Sequence, residues 1–275
     1  MQTIRFIGAG RAGSSLAAAL SAHGWNVVGF LGRGDDLAGA ARGVDVLVIA
    51  TPDDAVADVA AAVTPHAETT VVHLSGSLGL SALEPHPRRA ALHPLIPLPN
   101  AEVGAARLAS GVTFAVSGDV VARTMARSLD GRVVEVADAD RAVYHAAACI
   151  AANHVVALLG QVERVAASAG LDLDAFLPLT RAAVDDVAAL GPQRALTGPA
   201  MRGDWDTLSR HLDALPDRER AGYQAGVALA TRLAASSGST DPGRPTDPRR
   251  PTDPRRPTDV PRPTDVARPS APVAV

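Results

Sequence analysis

Lysine is absent from the 275 residues, so all 26 basic side chains are arginines. That absence excludes Schiff-base chemistry, a Walker-type phosphate lysine and a lysine general acid. Aromatic residues make up only 3% of the chain against 47% apolar residues. The core must therefore be built from Ala, Val and Leu, with helices packed closely through small side chains. One cysteine, Cys149, cannot form an internal disulfide, and a CxxC metal site is excluded. No His pair shows metal-ligand spacing backed by carboxylates, so no metal is expected. A net charge of −3 points to neither nucleic acid nor an anionic membrane as partner. The N-terminus lacks the basic and apolar regions of a signal peptide. The nearest thing to a membrane span, 142–160, holds His145, Asn153 and His154, which are costly in lipid. These features predict a soluble, cytoplasmic protein.

What is present falls into three parts. Residues 1–137 alternate strand and helix signals, as in a doubly wound parallel sheet. "TIRFIGAG", "NVVGFLGR", "VDVLVIATP", "TTVVHLSGS", a short strand near "AALHP", "GVTFAVSGD" and "RVVEV" read as strands. Asp53 or Asp54 suits the first turn of the helix "AVADVAAAV". Residues 138–237 read as helices alone: one from about 139 to 169 closed by Gly170, then "DLDAFLPLTRAAVDDVAAL", "GDWDTLSRHLDAL" and "DRERAGYQAGVALATRLAA". Residues 238–275 carry a hexapeptide repeat of the form RPTDPR, whose proline density forbids helix and sheet and predicts a disordered tail. The expected fold class is an α/β Rossmann-like doubly wound parallel sheet followed by an all-α domain.

Gly8-Ala9-Gly10-Arg11-Ala12-Gly13 is a GxGxxG run with a strand before it, a helix after it and a second strand following. Gly8 permits the tight turn, Gly10 lets a pyrophosphate approach the backbone, and Gly13 lets helix and strand pack. The phosphates would sit on the helix N-terminus. The second strand ends in Leu31-Gly32-Arg33, and an arginine there accommodates a 2′-phosphate, where an NAD site would want an acid. Asp35 and Asp36 come slightly late. NADP (as NADPH) is therefore the expected cofactor, with Arg33 as its clamp and Thr51-Pro52 at its border.

Ligands in such sheets bind beyond the carboxyl ends of the strands. His73 and Ser75 follow the fourth strand, and His93 stands in "LHPLIPLP", which its prolines predict to be a binding loop. On the long helix His145, Cys149 and Asn153 are spaced i, i+4, i+8, on adjoining turns of one face. An asparagine can orient a substrate carbonyl or hydroxyl, and a histidine can supply the proton that accompanies hydride transfer. His154 points elsewhere. Each of these polar residues also has a plain structural account, as a strand cap or a satisfied core group. In "LTGPAMRGD", Thr197-Gly198-Pro199 breaks the helices, and Arg202 could meet a substrate carboxylate. A nucleophilic Cys149 fits poorly with an apolar helix.

"FIGAGRAG", "VIATPDDAV", "VVHLSGS", "LHPLIP", "YHAAACIAANH" and "ALTGPAMRGDWDTLSRHL" together resemble a bacterial two-domain family over about residues 3 to 235. Its members join a Rossmann-like domain to a helical domain of unknown function. They are similar in layout to the 6-phosphogluconate dehydrogenase superfamily, including pyrroline-5-carboxylate reductase and ketopantoate reductase. The resemblance implies an NADP-dependent oxidoreductase acting on a small carbonyl or imine acid, with ketopantoate as a first candidate. Ketopantoate reductases pair a lysine with an asparagine one turn apart on this helix. Asn153 fits the asparagine, Cys149 stands one turn earlier, and no lysine exists in the chain. His145 or His93 is then the available proton donor. A homodimer through the apolar helical domain is expected. The rival reading is a non-catalytic NADP-binding sensor or scaffold, which the missing lysine favours.

Overall fold

The computed structural model describes residues 1–237. The repeat expected to be a disordered tail lies outside the described residues. The chain divides into two compact units, Met1–Phe176 and Leu177 onward. The change from strands to helices falls where expected, after Glu135, but the compact units part later, so the first long helical run belongs with the sheet.

In the first unit, strands β1 (Thr3–Ile7), β2 (Asn26–Leu31), β3 (Val46–Ile49), β4 (Thr70–His73), β5 (Arg89–Pro94), β6 (Thr113–Gly118) and β7 (Arg132–Glu135) form one sheet in the order β2-β1-β3-β4-β5-β6-β7. Every residue of β3 and β4 is buried, which is why those segments, His73 apart, read as apolar or β-branched runs. Strand order reverses between β1 and β3, and this switch point opens a crevice at their carboxyl ends.

The sheet is Rossmann-like but not wholly parallel. β6 runs antiparallel to β5, and β7 follows β6 in parallel. The reversal is a wide hairpin: the Leu95 N–H donates to the Thr113 carbonyl at 2.8 Å, and helix α3 (Ala101–Leu108) lies in the excursion between. His93 and Pro94 correct the loop reading, because both belong to β5. A proline at the last strand position needs to donate no ladder bond, so it ends β5 without breaking it.

Side chains alternate across the sheet. One face carries Ile4, Phe6, Val48, Val72, Leu92 and Phe114 against helices α1 (Arg11–Ala22) and α4 (Val121–Ser128). The other carries Ile7, Leu47, Ile49 and Val71 against α2 (Val56–Ala62). His73, two residues beyond Val71, shares that second face, and its register partner Ala91 is paired in turn with Ser117. His93, two residues beyond Ala91, points the same way.

Helix α5 (Arg141–Cys149) covers this part of the second face and passes through a π turn, Ile150–His154, into α6 (Val155–Ser168). The π turn follows directly on His145 and Cys149 and takes in Asn153 and His154. It advances the chain by more residues per turn, and Asn153 and His154 are exposed whereas His145 and Cys149 are half-buried. The run Asp138–Ser168 is long and apolar enough to cross a membrane by length and composition. Its start is instead tied to the sheet, with Arg141 1% exposed, while Val143 and Val156 stand 76% and 70% exposed.

The second unit consists of α7 (Leu177–Leu190), α8 (Pro192–Ala195), α9 (Gly198–Arg202), α10 (Trp205–Ala214) and α11 (Asp217–Ser237). The Asp204 carboxylate caps α10 by accepting from the Thr207 N–H at 3.1 Å. Thr197-Gly198-Pro199, expected to interrupt the helices with Thr197 as a substrate-binding residue, starts the short α9, with proline in its first turn.

Candidate active site

The glycine run lies between β1 and α1, at the switch point. Gly8 has φ +100°, and a β-carbon there would stand 2.8 Å from the Ala50 carbonyl oxygen. A β-carbon on Gly13 would stand 2.4 Å from the Gly8 carbonyl oxygen, so α1 can lie on β1 only without one. A β-carbon on Gly10 would meet nothing within 4 Å. Two glycines thus close the turn on itself, and the middle one faces open space. Helix α1 has no side-chain cap and no acidic residue in its first turn, so its leading N–H groups present positive potential unopposed. Such a cradle fits a dinucleotide pyrophosphate. Arg11 is exposed and Ala12 half-buried at its rim.

At the end of β2 the Asp35 carboxylate turns back to accept from the Gly32 N–H at 2.7 Å. That leaves exposed Arg33 as the charged group projecting there. At the end of β3, Thr51 is half-buried with its hydroxyl enclosed and unpartnered, beside exposed Pro52. Asp53 and Asp54 both stand in the helical turn that leads into α2, as expected of one or the other, and the Asp53 carboxylate also accepts from the Ser75 hydroxyl at 2.6 Å and the Ser77 hydroxyl at 2.8 Å. Ser75 in turn accepts from the N–H groups of Ser77 and Leu78, each at 3.1 Å. Asp53 and Ser75 therefore lock the turn after β4 against the turn after β3.

Beside that turn the first unit gathers a polar cluster. The guanidinium of Arg141 donates to the Ser117 hydroxyl at 2.8 Å and, more weakly, to the Ser75 carbonyl at 3.4 Å, while its Nε has no partner. His73 is fully buried with neither ring nitrogen hydrogen-bonded. The Gly79 backbone approaches close enough to favour the protonated ring slightly, short of a formed bond. Burial, followed by the charge of Arg141, lowers its pKa to about 4. His93 is lowered to about 4 as well, first by burial and then by His145 and Arg141. Both rings are neutral at neutral pH.

His93 Nδ1 lies 2.7 Å from the Tyr144 hydroxyl, with the two rings edge to face. The His145 ring meets His93 the same way, centroids 5.9 Å apart. Gly76 makes this possible: a β-carbon there would stand 2.6 Å from His145 Cδ2 and 3.0 Å from His93 Nε2. One turn on, the Cys149 sulfur is 3.9 Å from His145 Nε2.

Two of the expected reacting residues, His93 and His145, thus come together. Asn153 lies in the π turn and is exposed; Thr197 and Arg202, both exposed, belong to the second unit. Tyr144, Arg141, Asp53 and Gly76 were missed. Tyr144 and Arg141 stand one and four residues before His145, and no motif in the sequence singles them out. Gly76 stood in view between two serines.

Comparison with known proteins is consistent with this architecture. A family model described as a domain of unknown function, DUF2520, matches residues 111–230. Among curated proteins, none matches the chain by sequence. A candidate NADP oxidoreductase from Bacteroides fragilis is similar in structure, with a TM-score of 0.69 at 22% identity, covering 86% of this chain and 97% of that one. A Thermotoga maritima protein gives 0.65 at 21%, covering 86% and 99%. Plasmodium falciparum pyrroline carboxylate reductase, solved with NADP bound, gives 0.55 at 13%, covering 85% and 98%. At these identities the likeness shows one thing, a shared Rossmann-like fold with a helical region after it.

Proposed function

We propose that this chain is an NADP-dependent reductase of a small carbonyl or imine acid. The observation that carries the reading is a juxtaposition within one compact unit. The open glycine cradle at the switch point shares the carboxyl edge of the sheet with a cluster of neutral histidines and a tyrosine. The similar Bacteroides fragilis oxidoreductase and the Plasmodium falciparum reductase solved with NADP bound support the same reading.

The residues fit the cofactor. The backbone from Gly8 to Gly13, with Arg11 and Ala12, would hold the pyrophosphate on the N-terminus of α1. Arg33 would hold the 2′-phosphate, and Thr51, Pro52 and the Ser75 turn would border the nicotinamide half. The bound cofactor would supply a hydride to the substrate carbon. The chain's own part is to seat the substrate beside His93, Tyr144 and His145, exclude water and provide a proton. Asn153 would orient the substrate. Ketopantoate is the first substrate to try, on the resemblance described above. A homodimer is supported by the exposed apolar residues of the helical run, Val143 at 76%, Ile150 at 59% and Val156 at 70%.

The test is a fluorescence titration of the protein with NADPH and, separately, NADH, repeated on Arg33→Ala. NADPH should bind the wild type more tightly than NADH, and Arg33→Ala should weaken NADPH selectively, by about tenfold or more for a lost charge-assisted phosphate contact. Binding of neither nucleotide would end the reductase reading.

A further inference from the structure

Resting on that reading, we propose that Tyr144 is the catalytic residue that hands the proton to the reduced substrate, and that His93 is the relay that reloads it. The sequence alone left His145 and His93 as donors and gave Tyr144 no role. The geometry distinguishes them.

His93 presents two ring nitrogens, and both directions are already occupied. Nδ1 is held at 2.7 Å by the Tyr144 hydroxyl. The Nε2 edge faces Gly76 and His145, close enough that a single added β-carbon would collide with both rings. A substrate oxygen can therefore reach Nδ1 only by displacing Tyr144, whose hydroxyl occupies that position. Tyr144 itself is half-buried, as a group lining a wall is, while Arg141 one turn earlier is fully buried.

The protonation states agree with this order. A ring whose pKa lies near 4 is no imidazolium at neutral pH and holds no spare proton. It can pass a proton on only as it receives another at its far nitrogen. Burial raises the Tyr144 pKa, so the phenol is fully protonated at rest, and the Arg141 charge opposes that rise and so favours the phenolate as it forms.

In the step proposed, a hydride arrives at the carbonyl carbon and the C=O π pair moves onto oxygen. The Tyr144 O–H bond breaks and its proton passes to that oxygen. The Nδ1 proton of His93 moves to the Tyr144 oxygen, while Nε2 takes a proton from the His145 side, replaced from water. One hydride and one solvent proton are consumed per turnover. Tyr144 ends as it began, and His93 ends as the Nε2–H tautomer, which returns to Nδ1–H by proton exchange with solvent before the next turnover. The scheme needs His93 in its Nδ1–H tautomer, donating to Tyr144, so that the phenol proton is free for the substrate.

The test compares the full-length wild type with Tyr144→Phe, which removes one oxygen. Without nucleotide, nitrogen NMR of histidine-labelled protein should show the His93 Nδ1 protonated, and that signal should move in the variant. NADPH affinity should stay within about twofold, since the hydroxyl is absent from the glycine cradle. With NADPH and a panel of 2-oxo acids headed by ketopantoate, kcat should fall by about 10²- to 10³-fold, KM changing little. A variant turning over within about threefold of wild type, or an unmoved His93 signal, would overturn the assignment. Failure of the reductase reading shows elsewhere, in a wild type that binds no NADPH or reduces nothing in the panel, and it would take this role with it.

Discussion

Acidification should destabilise the fold through its two neutral histidines. Each is lowered from 6.5 to about 4 in the native protein. The unfolded chain therefore takes up these protons first as pH falls. Stability is complete above the unfolded pKa, declines as pH drops towards the native one, and loses nothing further from these groups below it. Between about pH 7.5 and about pH 5, one such histidine costs roughly 2 kcal/mol of unfolding free energy. Arg141, Asp53 and Asp138 face His73; His145, Arg141, Asp53, His73 and Tyr144 face His93. The two rings thus feel each other and one arginine, and their effects need not add. Urea unfolding at the two pH values measures the total. His73→Leu places an apolar side chain beside Val71 and Ile49, where the ring nitrogens have no hydrogen bonds to lose. The variant should lose less stability on acidification, by about 2 kcal/mol. Equal losses in wild type and variant, or a wild type unchanged by acid, would refute the claim that His73 is buried neutral.

Three further outcomes follow from the geometry. Gly13→Ala should lower stability by about 1–3 kcal/mol, because its β-carbon meets the Gly8 carbonyl, whereas Gly10→Ala should leave the melting temperature unchanged and weaken NADPH binding alone; thermal melts and fluorescence titration separate the two. Gly76→Ala should force the His93 and His145 rings apart, shifting both in the histidine NMR spectrum and reducing turnover. Val143→Asp combined with Val156→Asp should convert a dimer to monomer in sedimentation without unfolding it, since both side chains already stand mostly in solvent in the single chain.

Much of the sheet was legible because its central strands announce themselves. "VLVI" and "TVVH" are short, β-branched and buried on both faces, and the glycine turn marks the end of β1. The antiparallel β6 was not legible, since its composition is the same in either direction and its direction shows only in the ladder it makes with β5. His93 was placed by its prolines in a loop, although a proline at the last ladder position satisfies strand geometry. The π turn left no trace in a stretch of alanines, so the expected common face of His145 and Asn153 could not be checked by periodicity. Tyr144 became visible only when β5 brought His93 beneath it. A pairing made by tertiary contact between residues 51 positions apart has no local signature.

The reversed strand has a consequence for how the cluster tolerates change. Because β6 and β7 run opposite to β1–β5, the chain leaves β7 near the amino edge of β5, and α5 then crosses the face towards the carboxyl edge. Arg141 meets Ser117 and Ser75 on the way, and Tyr144 and His145 arrive at His93. The helix is thus phased by the few residues between Glu135 and Arg141, where the Asp138 carboxylate anchors to the Leu80 N–H at 2.8 Å. One residue added after that anchor would turn α5 by about 100° and carry both rings off the strand. One added in the exposed turn at Gly170, beyond α6, would leave their angle unchanged. Length in that short connector, more than the identity of its residues, sets whether the cluster exists.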